Sequence, residues 1–379
     1  MNTTDVLVVG AGPTGLTLGA ALAKRGISAA LVDTLPAGAN TSRAAVVAAR
    51  TLEVLEHLEV SERLTKQGLH ARGFSIRDRD RVLIPVDFTA LPTKYPYALM
   101  ISQAETERVL LDRLTELGGD VIRPKTVVAL SDNPDSVTAT FDDGDKVTAR
   151  YVVGADGMHS TVRAHAHIGF RGQVYAEEFA LADVHLHGEM PVDEVLLFYA
   201  PAGLTVVAPL PGGVHRIVAP VADAPADPSR EFLQRLLDAR GFGPGRSIVD
   251  DVIWGSHFRI HHRVADTYRA GRLLLAGDAA HVHSPAGGQG MNLGIQDAIA
   301  LADALTEVLA GAPEEALDAY SRSRRPIARQ VLTLTGRLTR LATLPPPLRP
   351  VRNTAMGLAA HFGSVREGLA WRLSGLIYR

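Results

Sequence analysis

The sequence predicts an α/β protein in which a Rossmann-like nucleotide-binding domain is interleaved with a β-sheet layer and followed by C-terminal helices. Three observations lead to this prediction. Residues 5–33 have the pattern of strand, glycine-rich turn, helix and strand, residues 171–263 form a series of strands with few helices, and residues 271–281 return to the pattern of the opening unit. A chain that leaves one kind of structure and later returns to it builds a discontinuous domain.

The opening unit carries a phosphate-binding pattern. The apolar run 6–9 is typical of a strand that is buried on both faces. Gly10, Gly12 and Gly15 then reproduce G-x-G-x-x-G, in which the first glycine permits a tight turn, the second lets a pyrophosphate approach the backbone, and the third lets helix pack on strand. Asp33 ends the following strand, where its carboxylate can bind two ribose hydroxyls. The unit predicts an ADP-containing dinucleotide and leaves FAD and NAD(P) open.

The helix of this unit is expected from about Gly15 to Lys24, and Gly26 ends it. Its first N–H groups and the positive end of its dipole point at the glycine turn, where a phosphate can accept them. Glycines alone often serve only as turns, so the prediction depends on the strand before them and the acid after them.

The composition is that of an ordinary globular protein and limits the possible functions. The chain has 379 residues, enough for two interleaved domains, with 46% hydrophobic and 21% charged residues. A formal net charge of −2 offers no field for a polyanion, so we expect no nucleic acid partner. The sequence has no cysteine, which excludes disulfides and thiolate chemistry, and we expect no metal site. No signal peptide or membrane span is recognisable, so we expect a cytoplasmic protein.

Two later strands also end in carboxylates. The run 151–157 delivers Asp156 before a glycine, and Ser160 and Arg163 open a helix behind it. This group either holds ribose and pyrophosphate or is an ordinary Asp-Gly turn.

The second of these strands, in 271–281, ends in Gly-Asp and places Asp278 at its terminus. A glycine-rich stretch follows and leads into a helix expected at 293–309, so that backbone N–H groups face whatever lies above them. His281 is either catalytic or a satisfied polar residue near the strand end, and we favour the second interpretation.

Two polar side chains near the nucleotide strands are further candidates. Arg43 either reaches a phosphate or the cofactor ring, or is a solvated loop arginine. Gln103 follows a strand and precedes a helix, where cofactor contacts concentrate in open α/β sheets, or it is simply a polar residue at a helix N-terminus.

The strand-rich stretch 171–263 is expected to lie over the nucleotide domain and to form the far wall of a pocket, with 230–239 as its helix. A strand pair at 73–88 has a charged turn. The residues that we expect to line the pocket, or else to belong to the core, are Phe179, Phe198, Val206, Ala208, Trp254 and Phe258.

Three segments together resemble class A flavoprotein monooxygenases of the para-hydroxybenzoate hydroxylase type. They are GAGPTG at 10–15, GADGMHSTVR at 154–163 and GDAAHVHSPAGGQGMN at 277–292, and their order and spacing are specific although each alone is not. The resemblance covers nearly the whole chain and implies bound FAD. The residues that it implies in FAD binding are Gly10, Gly12, Gly15, Asp33, Arg43, Gln103, Asp156, Asp278, Pro285, Gly288, Gly290, Met291 and Asn292.

The resemblance implies NADPH or NADH as the reductant. In the family the GADG segment serves both FAD and NAD(P)H, so Asp156, His159 and Arg163 become candidates for a transient reductant site. No second G-x-G-x-x-G is present, which agrees with a family that lacks a separate nicotinamide domain. The implied reaction is hydroxylation of an aromatic carbon with O2 through a flavin C4a-hydroperoxide. The flavin carries this chemistry, and Arg43 and Pro285 have supporting roles.

Departures from the simple benzoate hydroxylases concern the substrate. Those enzymes bind the substrate carboxylate with an arginine on the central sheet, whereas the matching segment 203–210 here carries no cation. This difference favours a larger, flatter and less charged polyketide or phenolic molecule between apolar walls. Residues 372–378 resemble the end of the catalytic part of polycyclic polyketide hydroxylases. Those enzymes usually continue into a thioredoxin-like domain, and we expect none here.

The pattern of elements also divides the chain. We expect an FAD-binding domain of 1–72, 97–170 and 265–330, a substrate-binding β-sheet domain of 73–96 and 171–264, and a C-terminal helical region of 331–379.

Other activities of the same fold stay open. Epoxidation or Baeyer–Villiger-type oxygenation is possible because the motifs determine the flavin and not the substrate. A flavin halogenase is disfavoured because Trp254 and Trp371 are isolated and do not form the W-x-W-x-I-P motif. A non-catalytic flavin-binding protein is the most distant alternative.

Overall fold

A computed structural model describes residues 2–38, 44–284, 287–342 and 344–379. Along the chain its strands are β1 (Asn2–Val9), β2 (Ala29–Val32), β3 (Val46–Val47), β4 (Leu69–Ala71), β5 (Gly73–Asp78), β6 (Arg81–Asp87), β7 (Ala98–Met100), β8 (Val121–Ile122), β9 (Val127–Asp132), β10 (Val137–Phe141), β11 (Lys146–Gly154), β12 (Phe170–Gly188), β13 (Glu194–Ala200), β14 (Gly203–Leu210), β15 (Val214–Val221), β16 (Ser247–Ala265), β17 (Arg269–Ala270), β18 (Leu273–Leu275) and β19 (His281–Val282).

The helices lie mainly around the first sheet and at the C-terminal end of the chain. They are α1 (Pro13–Lys24), α2 (Ala49–Leu55), α3 (Ser61–Gln67), α4 (Gln103–Glu116), α5 (Thr161–His165), α6 (Arg230–Arg240), α7 (Gly290–Leu309), α8 (Glu315–Ala342), α9 (Arg349–Ala359) and α10 (Gly363–Leu373). Short 3-10 helices are Glu56–Leu58, Pro211–Gly213, Gly277–Ala279, Pro346–Leu348 and Leu376–Tyr378. In these ranges no helix has the combination of length and apolar character that a bilayer crossing requires.

The first sheet has the order β17-β18-β11-β1-β2-β8, and β18, β11, β1, β2 and β8 run parallel. Helices α1 and α7 pack on the inner strands and form one buried core with them. Strands that are covered in this way are typically apolar along their whole length. Strands β9 and β10 extend the sheet as an antiparallel meander on β11. This sheet confirms the predicted α/β class.

The second sheet has the order β19-β16-β12-β15-β14-β13-β5-β6 and is antiparallel except where β13 meets β5. The predicted strand pair at 73–88 is therefore present as β5 and β6. Helix α6 packs on one face of the sheet, and residues of α9 and α10 pack on the other. A small third sheet, β3-β7-β4, completes the strands. The exact domain boundaries stay a prediction.

Three elements differ from their predicted bounds. Helix α1 begins at Pro13 instead of Gly15, since proline is well suited to the first helical position. Helix α7 begins at Gly290 instead of Leu293. Strand β11 covers 146–154 instead of the expected run 151–157: its first half is alternately exposed and its second half is buried, so the apolar run marks only the half that lies in the sheet interior.

Gly15 tests the close packing of α1 on β1. A Cβ added there would lie 1.8 Å from the carbonyl oxygen of Gly10, whereas a Cβ on Gly12 meets no atom within 4 Å. We expect Gly15→Ala to lower the free energy of unfolding of the apoprotein by about 2 kcal/mol or more. Gly12→Ala is the matched control and should change it by less than about 0.5 kcal/mol in urea denaturation. Equal losses in the two variants would contradict this packing.

Candidate functional site

Three distant segments meet at one edge of the parallel sheet. Val9 lies opposite Gly154, and Gly154 lies opposite Leu275. The N–H of Ala155 donates to the carbonyl of Val9 over 2.8 Å, and a Cβ on Gly10 would lie 2.4 Å from the carbonyl oxygen of Ala155. Because the carboxyl ends of parallel strands share an edge, the three sequence motifs form one continuous site.

Glycines at this edge have two roles: one leaves space for a ligand, and others allow close packing of the protein under the site. Gly12 has open space where a side chain would begin, so a pyrophosphate can approach its backbone. A Cβ on Gly277 or Gly294 would lie 2.5 or 2.3 Å from Oγ1 of Thr14. Thr14, in the first turn of α1, is therefore packed between the Gly277 turn and α7. These contacts fix the first motif against the third.

Two of the predicted carboxylates lie at the rim of this edge. Oδ2 of Asp33 accepts from the N–H of Ala11 over 2.6 Å, and Oδ1 accepts from the N–H of Leu35 over 2.8 Å. Asp33 is partly exposed at the end of β2, as the ribose-binding role requires. Asp278 is exposed in the 3-10 turn after β18, while both of its chain neighbours are buried.

Asp156 contacts the protein itself. Its Oδ2 accepts from the N–H groups of Thr161 and Val162 over 2.7 and 3.2 Å, so the carboxylate caps helix α5. Burial raises its pKa, and these hydrogen bonds partly oppose that rise. Oδ1 of Asp156 is buried and, among the described residues, has no hydrogen-bond partner. Asp156 therefore caps α5 with one carboxylate oxygen, and its expected contact with ribose or reductant stays a prediction.

Arg163 is engaged in the same way. Its Nη1 donates to the carbonyl of Ala279 over 2.9 Å and its Nη2 to the carbonyl of Met158 over 2.8 Å. Its guanidinium also lies over the ring of Phe170, 3.9 Å from the centroid. Arg163 thus ties the second segment to the third, whereas His159 is exposed and remains the more accessible candidate for NAD(P)H.

Gln103 is held at the start of α4 by a carboxylate that the sequence did not indicate. Its Oε1 accepts from the N–H of Ala44 over 3.2 Å, and its Nε2 donates to Oε1 of Glu107 over 2.8 Å. Glu107 is buried, and burial raises its pKa. Glu107 therefore orients Gln103 next to the chain that leads away from β2.

The glycine-rich loop before α7 is fixed by Asn292. Oδ1 of this buried residue accepts from the N–H of Ala48 over 2.8 Å, and its Nδ2 donates to the carbonyls of Val46 and Gly288 over 3.0 and 2.7 Å. A Cβ on Gly288, which has a φ of +63°, would lie 2.1 Å from Val46. The amide of Asn292 therefore holds the loop, and the expected contact of this segment with the cofactor stays a prediction.

The backbone at the start of α7 matches the expectation of an anion-binding terminus. Gly290 and Met291 are partly exposed in the first turn of this 20-residue helix. The N–H groups of a first helical turn and the helix dipole favour an electron-rich ring edge there. Arg43 and Pro285 lie outside the described residues.

The substrate candidates separate into groups. Phe179 and Phe258 stack with ring centroids 5.7 Å apart and share a packed cluster with Val206 and residues of α9 and α10. Ala208 lies in another cluster, next to the third sheet. Phe198 is fully buried on the opposite face of the second sheet, edge-on to Phe242 under α6. Side chains alternate between the faces of a strand, so Phe198 belongs to the core, the second of its two expected positions, and not to the wall formed by Phe179 and Phe258.

A buried ion pair stands in the second sheet beside this wall. Nε and Nη2 of Arg216 donate to the two carboxylate oxygens of Asp183, both over 2.7 Å. Nε1 of Trp254 donates to the same carboxylate over 2.8 Å, and Nη1 of Arg216 donates to the carbonyl of Ala44 over 2.8 Å. The pair ties the second sheet to the loop after β2. The sequence indicates such a pair only by placing Asp183 and Arg216 inside apolar strand runs, because a buried charge requires a partner of opposite charge.

The donor set suits a dinucleotide and not a metal. Across the described residues no group of three or more His, Asp or Glu side chains could hold a metal ion. The open backbone at Gly12, the carboxylate of Asp33 and the exposed Asp278 lie along one edge, with the start of α7 beside them. These features define a dinucleotide-binding protein of the Rossmann class.

Comparison with known proteins gives the family. The model of the FAD binding domain family matches residues 3–335, and the chain belongs to that family. Its relatives include 6-methylpretetramide 4-monooxygenase of Streptomyces rimosus, 37% identical over 356 residues that make up 92% of this chain and 64% of that protein.

Solved structures agree with the family. p-Nitrophenol 4-monooxygenase from Pseudomonas putida has a TM-score of 0.85 and 25% identity, with 98% of both chains covered. The anhydrotetracycline hydroxylase from Streptomyces rimosus has a TM-score of 0.82 and 35% identity, with 99% of this chain and 76% of that chain covered. The chain therefore spans nearly the whole of one relative and about two thirds to three quarters of the others.

Asp278 tests the flavin site. Replacing it with alanine removes a charged hydrogen-bond acceptor, so we expect FAD to bind about 10- to 100-fold more weakly in fluorescence titrations of the apoprotein. Asp135→Ala is the control, because this exposed aspartate lies in a loop between β9 and β10, away from the glycine-lined edge. Unchanged FAD affinity in Asp278→Ala would remove Asp278 from the site.

The Asp183–Arg216 pair gives a prediction of stability. Asp183→Asn leaves the guanidinium buried without a counter-charge, so we expect a loss of about 3–5 kcal/mol in the free energy of unfolding. The double variant Asp183→Leu/Arg216→Met should lose much less, because both charges are removed together. The exposed pair Arg63–Glu116 is the control, and Glu116→Gln should cost less than about 1 kcal/mol in the same urea denaturation. Equal losses from Asp183→Asn and Glu116→Gln would contradict the buried pair.

Proposed function

We propose that this chain is an FAD-dependent monooxygenase that uses NADPH or NADH and O2 to hydroxylate a small aromatic molecule, polycyclic or phenolic. The observation that carries the proposal is the convergence of the three motifs at one sheet edge, with Gly12 open and Asp278 exposed above it. The names of the relatives support the reaction class. When bound, FAD supplies the redox and oxygen chemistry, and the protein supplies binding, orientation and exclusion of water.

The roles of this chain's residues follow from their positions. The backbone at Gly12 and the carboxylates of Asp33 and Asp278 bind the cofactor, and Gln103 is oriented for the same task by Glu107. The N-terminus of α7 faces the ring and favours negative charge on it. Phe179 and Phe258 provide an apolar wall on the side of the second sheet.

The expected substrate is large and carries little charge. Arg216, beside the wall, is already neutralised by Asp183 and offers no site for a substrate carboxylate. A cavity of about 1150 Å³ lies between α8, α9, α10 and strands β5 and β6, and its lining is mainly apolar. It shares Met356 and Leu369 with the cluster that contains Phe179 and Phe258. None of the residues that line this cavity belongs to the glycine-lined edge, so the expectation of a large substrate rests on the apolar wall and the neutralised Arg216 and not on the cavity volume.

Purified protein with FAD tests the proposal directly. We expect NADPH or NADH oxidation to accelerate when a suitable phenol or polycyclic aromatic is added, and the product to gain one oxygen atom that comes from 18O2, read by mass spectrometry. NMR of the product then distinguishes hydroxylation from epoxidation or ring-inserting oxygenation. Asp278→Ala, assayed at limiting FAD, is the control.

Two results would contradict the proposal. A protein that takes up no FAD would remove the cofactor, and a flavoprotein that consumes NAD(P)H without transferring oxygen to any member of a broad panel would favour a non-catalytic flavin-binding protein. The cytoplasmic location and the absence of a nucleic acid partner stay predictions.

A further inference from the structure

A buried pair, His281 and Asp297, lies directly behind the turn that carries Asp278. Both side chains of the pair are fully buried. Nε2 of His281 is 2.5 Å from Oδ2 of Asp297, and among the described residues Nδ1 of His281 has no hydrogen-bond partner. The ring of His281 is therefore held by Asp297.

Asp297 is anchored from a second helix. Nε of Arg324, in α8, donates to its Oδ1 over 2.7 Å. Burial alone would raise the pKa of this carboxyl group, but Arg324 and His281 hold the pKa of Asp297 below its usual range. An ionised carboxylate only accepts hydrogen bonds, so Nε2 of His281 is the donor.

His281 is continuous with the turn that presents Asp278. The N–H of Ala280 donates to the carbonyl of Gly277 over 2.8 Å, and the carbonyl of Ala280 accepts from the N–H of Ala265 over 2.8 Å. These bonds close the turn, while its exposed member is Asp278. The backbone between Asp278 and His281 therefore has little freedom to absorb a shift of the histidine.

Asp297 belongs to α7, the helix whose N-terminus faces the ring of the cofactor in the proposed function. The His281–Asp297 contact thus joins the turn of Asp278 to α7, and Arg324 braces the junction from α8. A pair that merely filled the core would stabilise the fold without fixing these two parts relative to each other.

We propose that His281 is a positioning residue for FAD: its hydrogen bond to Asp297 holds Asp278 in register with the N-terminus of α7. The inference rests on the proposed function, because it has meaning only if FAD binds at Asp278. It predicts that His281 and Asp278 contribute to FAD affinity as one unit.

A double-mutant cycle on the full chain measures this coupling. His281→Phe keeps the ring volume but removes the donor, and we expect it to weaken FAD binding by about tenfold. In the Asp278→Ala background the same substitution should weaken binding by less than about threefold, because the carboxylate that it positions is gone. FAD affinity is read by fluorescence titration of the apoprotein at a temperature at which circular dichroism shows each variant folded.

Two further variants separate positioning from general stability. His281→Gln can still donate to Asp297 and should restore most of the FAD affinity. Ser321→Ala removes another buried hydrogen bond of α8, the one that its Oγ accepts from the N–H of Tyr268 over 3.0 Å, and should leave FAD affinity unchanged while lowering the free energy of unfolding. If His281→Phe does not fold, His281→Leu takes its place in the cycle.

The outcomes are distinct. Non-additive losses with rescue by His281→Gln support the inference. Additive losses in the cycle, or equal losses of FAD affinity in His281→Phe and Ser321→Ala, overturn it while leaving the proposed function intact. An apoprotein that binds no FAD overturns both.

Discussion

The structure depends on one row of paired residues across the parallel sheet. Val9, Gly154 and Leu275 lie side by side, and each is the last residue of its strand. The three strands therefore deliver a glycine turn, a capped helix start and an exposed carboxylate to one edge. A slip of one residue in either pairing would turn the side chains to the other face and separate the three segments.

The sequence alone predicted those features of the site that depend on residues close together in the chain. Gly10 and Gly15 are needed where their neighbours approach to 2.4 and 1.8 Å of an added Cβ, and such glycines are readable from spacing alone. Asp33 and Asp278 are likewise readable as acids at strand ends. A contact with a distant partner was not readable: Arg163 matched a ligand-binding pattern, but one of its hydrogen bonds goes to the carbonyl of Ala279, more than a hundred residues away.

Phe198 shows a second limit. Its strand, β13, is buried on both faces, so alternation could not tell which face carries the pocket and which carries α6. Glu107, Asp183 and Asp297 show a third. Each is an acid within an apolar or amphipathic run. Asp183 pairs with Arg216 and Asp297 with Arg324, and both partners lie on other elements, which the sequence does not reveal. Glu107 pairs with Gln103 one turn earlier in the same helix.

The buried ion pairs share a physical property that affects the site. Arg216 with Asp183, and Arg324 with Asp297, bring no net charge into the interior, although each pair is held at hydrogen-bond distance. The hydrogen bonds of the Arg216–Asp183 pair hold the wall beside the proposed substrate space in place. Because the pair has no net charge, the wall can contact an uncharged aromatic surface.

The late place of β18 in the chain has a consequence for how the protein is made. This strand is the third of the paired row, yet it is built from residues 273–275, and its turn is braced by Arg324 from farther along the chain. During synthesis the amino-terminal strands emerge first, and residues 152–154 of β11 remain without one of their partner strands until β18 is made. The nascent polypeptide therefore acquires its nucleotide cradle late, and a ribosome that stalls before β18 releases a product with an incomplete sheet and nowhere to hold the coenzyme.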